Sequence, residues 1–183
     1  MENEVNLETE RLILRSPRAS DIPRIVKFAN NSKVADMTLN IPFPYEEKDA
    51  IFWINNANQG LKDESQFTCA ICQKPTNEFI GGIGLGVNRR FNRAELGFWI
   101  AEPFWNNGFA TEAVGEIIKF GFEEVELNKI LATHLPNNPA SAKVMAKNGM
   151  VREGELKEHV RKNEKYLSLI QYRITRNEFL NRS

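Results

Sequence analysis

The strongest constraint on this chain is a change of period inside one short stretch. Ala94 to Ala101 reads as a strand, whereas from Gly108 to Phe122 the residues Ala110, Ala113, Val114, Ile117, Ile118 and Phe122 recur every three or four positions, with Glu112, Glu116 and Lys119 outside that stripe. A strand feeding an amphipathic helix implies a layered α/β fold in which the helix packs back on a sheet. The rest of the chain agrees. Leu12-Ile13-Leu14, flanked by Arg11 and Arg15, is a short strand that Pro17 ends. Ser20 and Asp21 can cap a helix reaching Asn30, with Ile22, Ile25, Val26 and Ala29 inward. A second helix is expected from Glu46 to Asn58, with Ala50, Ile51, Trp53 and Ile54 inward and the run Asn55 to Gly60 as its stop. A meander of Phe67 to Cys72, Phe79 to Val87 and Ala94 to Ala101 follows, its middle strand diluted by Gly81, Gly82, Gly84 and Gly86, which suggest a bulge or close packing. Lys129 to His134 is a strand, Pro139 to Asn148 a short helix, and Val151 to Val160 and Tyr166 to Thr175 a final strand pair. No repeat or long linker divides the sequence, so residues 1–183 are expected to form one domain.

Composition narrows the function classes. With 183 residues and 42% apolar content the chain can bury a substantial core. Its 24 basic and 24 acidic side chains cancel, which argues against direct nucleic-acid recognition. Neither a membrane span nor a secretion signal is legible, so cytoplasmic action is expected. Cys69 and Cys72 are spaced as C-x-x-C but lie on an extended apolar run, where residues three apart face opposite ways. They are expected to be structural, with no metal bound.

Two helix starts stand out. The segment Trp105 to Thr111 follows a strand directly, and Gly108 and Ala110 leave the helix end uncluttered. Backbone N–H groups from about Asn106 to Ala110 can therefore meet a phosphate, helped by the helix dipole. Gly108 also fits simple close packing against a neighbour. The second start has Asn138 at N-cap, Pro139 at N1, Ser141 at N3 and Gly149 beyond the C-terminus. It follows a strand end, where mixed α/β proteins often hold ligands. Lys143 and Lys147 share a helical face and suit either a ligand phosphate or solvent.

Four segments occur in register: Thr9 to Arg15, Ala94 to Ile100, Trp105 to Ala113, and Asn138 to Met150. Together they resemble the GNAT acyl-CoA-dependent N-acetyltransferases, in the RimJ/RimL branch that modifies amino termini of ribosomal proteins. The likeness covers about Leu7 to Phe179. It implies a mostly antiparallel sheet of about seven strands, splayed at the acetyl-CoA site and flanked by about four helices. It further implies that Trp105, Asn106, Asn107, Gly108, Phe109, Ala110 and Thr111 hold the CoA diphosphate. Asn138 would hydrogen-bond the pantetheine arm or the acyl-CoA pocket, and Phe98, Trp99 and Ile100 would offer main-chain groups to the pantetheine arm.

Acyl transfer to an amine needs a proton acceptor and a stabilised leaving thiolate. Glu95 is the first base candidate, with a purely structural carboxylate as the alternative; Glu158 and His159 follow. The resemblance implies Ser141 as the hydroxyl for the CoA sulfur; it also fits as an ordinary first-turn serine, and Met145, standing where many relatives carry tyrosine, favours either the Ser141 role or catalysis by positioning alone. In the last hairpin Asn163 stands in for a glycine and Ser168 for an acid that relatives often carry. Met37, Phe43, Tyr45, Phe52 and Trp53 either line an acceptor pocket or fill the core, with periodicity favouring core for Phe52. The expected activity is acetyl transfer to a primary amine, foremost a protein N-terminus. A small-molecule amine acceptor and a non-catalytic acyl-CoA sensor are the alternatives, and a homodimer is compatible with either.

Overall fold

The strand-forming segments pair into a single eight-stranded sheet in the computed structural model, which describes residues 4–182. The strands are β1 (Asn6–Glu8), β2 (Leu12–Arg15), β3 (Gln66–Gln73), β4 (Glu78–Asn88), β5 (Arg93–Ile100), β6 (Lys129–His134), β7 (Val151–Lys162) and β8 (Lys165–Thr175). Across the sheet they run β1-β2-β3-β4-β5-β6-β8-β7, and every neighbouring pair is antiparallel except β5 with β6. That exception follows from the intervening helix, because a crossover returns the chain in its original direction. The helices are α1 (Ile22–Ala29), α2 (Ser32–Asp36), α3 (Glu47–Lys62), α4 (Phe109–Glu123), α5 (Pro139–Lys147) and α6 (Arg176–Leu180).

Two apolar layers sandwich the sheet. On one face Leu12, Leu14, Cys69, Ile71, Leu85, Leu96 and Ile130 pack with Ala113, Val114, Ile117 and Phe122 of α4. On the other, Ala70, Cys72 and Phe79 pack with Ile25 and Phe28 of α1 and with Ala50 and Ile54 of α3. Cys69 and Cys72 thus lie on opposite faces, as strand geometry requires. Burial pushes their thiols up to about 12 and about 11, so neither ionises readily. The glycine-rich β4 passes beneath two indoles: a Cβ on Gly82 would lie 2.8 Å from Trp99 Nε1 and 3.0 Å from the Trp53 ring. The anticipated bulge is present too, as a register shift between Ile71 and Cys72 opposite β4.

Three elements exceed the expected seven strands and four helices. β1, α2 and α6 have three, five and five residues, too short for an apolar period to show. Helix α3 also runs four residues past Asn58, because Ala57 and Gly60 are buried and tertiary packing overrides the poor helix propensity of Asn58 and Gly60. Asp21 makes no side-chain cap for α1. Its carboxylate instead accepts two hydrogen bonds from the Arg15 guanidinium, both 2.8 Å, and one from the Arg18 N–H, also 2.8 Å.

Arg15 and Asp21 are each only 6% exposed, so removing one partner strands a buried charge. Asp21→Ala is expected to lower unfolding free energy by about 3 kcal/mol or more. Urea denaturation will show this as a lower midpoint with an unchanged m-value; an unchanged midpoint would remove the pair from the stability account.

Candidate active site

The site begins where the parallel pair comes apart. β5 and β6 are in register only from Arg93 opposite Lys129 to Leu96 opposite Ala132. Beyond that point β5 stays with β4 as far as Ile100, while Thr133 and His134 stay with β8. The Ala101 N–H donates to the Ile80 carbonyl at 2.8 Å, which fixes the alternation of β5. Trp99 therefore turns its main chain towards β4, and Phe98 and Ile100 turn theirs into the gap. The Trp105 indole N–H donates to the Ile100 carbonyl at 2.6 Å. The N–H and C=O of Phe98 and the N–H of Ile100 are left for an extended, amide-bearing ligand.

At the mouth of this gap α4 begins. Asn106 at φ 61° and Gly108 at φ 79° fold the chain into a left-handed turn, and Gly108 supplies no side-chain cap. The first helical hydrogen bond runs from the Glu112 N–H to the Gly108 carbonyl at 3.1 Å. Among the described residues, the N–H groups of Asn106, Asn107, Gly108, Phe109, Ala110 and Thr111 have no protein acceptor. Six consecutive free donors at the positive end of a 15-residue helix make a strong anion cradle.

The cradle is braced from behind. The Arg11 N–H and Nε donate to the Glu112 carboxylate at 2.8 and 2.7 Å, and the Thr9 hydroxyl donates to it as well. Arg11 Nη1 also donates to the Asn107 carbonyl at 3.0 Å, and its guanidinium lies 4.7 Å from the centre of the Phe109 ring. Burial opposes ionisation of Glu112, but these donors outweigh it and hold its carboxyl below the usual range. The sequence gives no signal for this clamp, since its partners stand about a hundred positions apart. Only the place of Glu112, outside the apolar stripe in a helix's first turn, hinted at it.

Helix α5 starts on the other wall. Asn138 Oδ1 accepts from the Ser141 N–H at 3.2 Å, Pro139 occupies the first turn, and Gly149 takes the left-handed φ of 64° past the end. The Asn138 amide nitrogen donates to the Met37 carbonyl at 3.3 Å, so this side chain is committed within the protein. The half-buried Ser141 hydroxyl has no partner among the described hydrogen bonds, whereas Lys143 and Lys147 project into solvent. Met145 is 1% exposed and belongs to the core.

Glu95 is exposed at the foot of the gap, one residue before β5 and β6 separate, and its Oε1 accepts from the Thr133 hydroxyl at 3.2 Å. Glu158 and His159 are exposed farther up β7, where a bulge places Glu158 at φ 47° and its N–H donates to Ser168 Oγ at 3.1 Å. Asn163 and Glu164, at φ 48° and 64°, make the tight turn of the last hairpin, so Asn163 does take the glycine-like conformation. His134, at the end of β6, donates through Nδ1 to the Leu135 carbonyl and leaves Nε2 buried without a partner.

A roof crosses above. Lys162 Nζ donates to the Ala35 and Thr38 carbonyls, both 2.6 Å, and Asn31 and Lys33 bind Glu102. These contacts tie α2 to the hairpin, to α5 and to the segment before α4. Tyr45 is buried beneath it, but Phe43 and Phe52 are exposed, Phe52 by 66%. The expectation of Phe52 and Ile51 in the core is thereby corrected: α3 presents Ala50, Ile54 and Ala57 to the sheet, which rotates Ile51 and Phe52 outward. Two surface hollows of about 410 and 430 Å³ lie elsewhere, beside Gly115 and Arg182 and beside Leu61 and Phe120, and neither contains a residue of the cradle. No cluster of metal-binding side chains occurs among the described residues, and no described helix is long and apolar enough to cross a membrane.

The depressed Glu112 pKa sets a pH signature. A carboxylate whose folded pKa lies below its unfolded value stabilises the fold above that unfolded value, and the contribution fades as pH falls through the folded one. Glu112→Gln should lower Tm at pH 7 by roughly 2–4 °C, and the difference from wild type should close as pH falls below the usual carboxylate range. A deficit independent of pH, read by thermal melts across that range, would contradict the assignment.

Residues 11–151 match the acetyltransferase (GNAT) domain family. The uncharacterized N-acetyltransferase YoaA of Bacillus subtilis is 30% identical over 158 residues, covering 86% of this chain and 89% of that protein. Among solved structures, ribosomal-protein-S5-alanine acetyltransferase from Vibrio fischeri aligns with a TM-score of 0.83 at 22% identity, over 95% of this chain and 98% of that one. Spermidine N-acetyltransferase from Vibrio cholerae, solved with CoA and spermine, aligns with a TM-score of 0.79 at 23% identity, over 94% of this chain and 100% of that one. At these identities the two structures establish the fold, and their acceptors differ.

Proposed function

Because this chain belongs to the GNAT acetyltransferase family and is an N-acetyltransferase, we propose that it transfers the acetyl group of acetyl-CoA to the α-amine at a protein N-terminus. The observation that carries the donor half is the run of six free N–H groups, Asn106 to Thr111, beside the parted strands. These donors would take the diphosphate, and the Phe98 and Ile100 main chain would bind the pantetheine amides as an added strand does. Trp105 supports that edge by holding the Ile100 carbonyl. Acetyl-CoA supplies an activated thioester, and the remaining chemistry is that of the chain.

The Phe98 N–H faces the gap and would stabilise charge developing on the thioester oxygen, which leaves the Phe98 carbonyl and the Ile100 N–H for the pantetheine amides. Glu95, oriented by Thr133, would accept the proton lost by the amine, directly or through one water. An α-amine, with a reference pKa near roughly 8, is partly neutral at pH 7 and needs only a modest base. The unpartnered Ser141 hydroxyl would donate to the sulfur as the C–S bond breaks. Glu158 stands farther from the foot of the gap and is the reserve base; Asn138 and Lys143 would shape the pocket wall, Asn138 through its tie to the roof.

The acceptor assignment rests on the rim. Lys162 is fixed there between hairpin and roof, and Arg161 and Lys165 are exposed beside it. Arg161 is paired with Glu164, so Lys162 and Lys165 set the charge of this rim; it is not the acidic surface a polycation needs, and the later side chains of a peptide would lie against the exposed Met37 and Phe43.

The test is incubation with acetyl-CoA and a panel of N-terminal peptides, amino acids and polyamines, following mass gain and free thiol. Acetylation of peptide α-amines is expected; exclusive acetylation of polyamines or amino acids would overturn the acceptor assignment, and CoA binding without product would indicate a sensor. Glu95→Gln should lower kcat by about 100-fold and remove the acidic limb of the pH profile. Ser141→Ala should cost about tenfold, the worth of one hydrogen bond. Unchanged kcat in either variant would withdraw that residue's role.

A further inference from the structure

We propose that Arg11 is a positioning residue for the donor: it aims the α4 turn at the diphosphate and cancels the charge of Glu112 beside it. This deepens the acetyl-CoA reading given above and rests on it.

In a planar trans peptide the C=O and the following N–H point in opposite directions. Arg11 Nη1 draws the Asn107 carbonyl towards the loop between β1 and β2 at 3.0 Å, so the Gly108 N–H is turned the other way, out of the turn. The neighbouring units are fixed alike: the Trp105 carbonyl accepts from Asn107 Nδ2 at 2.9 Å and the Gly108 carbonyl from the Glu112 N–H at 3.1 Å. Three carbonyls are thereby held back, and the N–H groups of Asn106, Gly108 and Phe109 are left forward. Arg11 alone among these anchors comes from outside the α4 segment. Its position is over-determined by the Glu112 carboxylate, the Asn107 carbonyl and the Phe109 ring.

Electrostatics point the same way. Glu112 lies in the first turn of α4, where a negative side chain suits the dipole but repels a bound anion. The Arg11 guanidinium, 2.7 Å from that carboxylate, removes the repulsion. The side chain is 45% exposed, so its net contribution to folding is small and its replacement is tolerable.

Arg11→Gln loses both functions, and Arg11→Lys keeps the charge while reaching only one of the two anchors. Steady-state kinetics with acetyl-CoA should show KM raised about 10- to 30-fold in Arg11→Gln, less in Arg11→Lys, with kcat at saturation within twofold of wild type. With S-acetylpantetheine, which has the thioester arm and no diphosphate, wild type and both variants should turn over equally. Thermal melts establish that the variants are folded. A fall in kcat at unchanged KM, an equal loss on both donors, or no change on either overturns the role of Arg11. Absence of transfer from either donor by wild type would instead overturn the acetyl-CoA reading itself.

Discussion

Two parallel strands, β5 and β6, separate after four paired residues, and the site is built around that separation. Parallel strands that part leave unpaired main-chain groups on both inner edges, and such groups are costly unless water or another partner satisfies them. Here the fold satisfies only some. Trp105 caps the Ile100 carbonyl, β4 and β8 hold the outer edges, and Phe98 keeps both its groups free. An extended chain of amides has the complementary pattern, and pantetheine is one. On the proposed reading, the break in the sheet would select the shape of the ligand before any side chain is considered.

Charge recognition follows the same economy of side chains. The chain carries no net charge, and two cationic groups near the gap are committed: Arg11 to Glu112 and Asn107, and Lys162 to the Ala35 and Thr38 carbonyls. An anion at the start of α4 would meet backbone N–H groups instead. Their positions are fixed by the fold, so little ordering is required on binding, which is the advantage of a preorganised site. The roof formed by α2 is built on the opposite principle, with side-chain contacts between distant segments, and it leaves Met37 and Phe43 exposed.

Much of this was legible in residue order. The period change near Gly108 located β5, the turn and α4 within a residue or two, because both elements are long enough to display their apolar spacing. Asn138, Pro139 and Gly149 marked the bounds of α5, because capping chemistry is local. The opposite orientation of Cys69 and Cys72 followed from strand geometry alone. Long-range contacts were not legible. Nothing local pairs Arg11 with Glu112, Lys162 with Ala35, or Asp21 with Arg15 in place of an N-cap. The outward turn of Phe52 escaped for a related reason: a helix one residue wide of its expected face still reads as amphipathic, and only packing on β3 fixes its rotation. Site chemistry divides along the same line, with main-chain donors foreseeable from the turn and side-chain bracing visible only in three dimensions.

If the main chain from Asn106 to Thr111 receives the diphosphate of CoA, its backbone amide resonances will report it during an NMR titration with CoA. The amide protons of this segment, Gly108 foremost, should move downfield and become protected from exchange, while those on the far flank near Leu61 and Phe120 stay in place. Saturable CoA binding that leaves the Asn106–Thr111 amides unperturbed would contradict it.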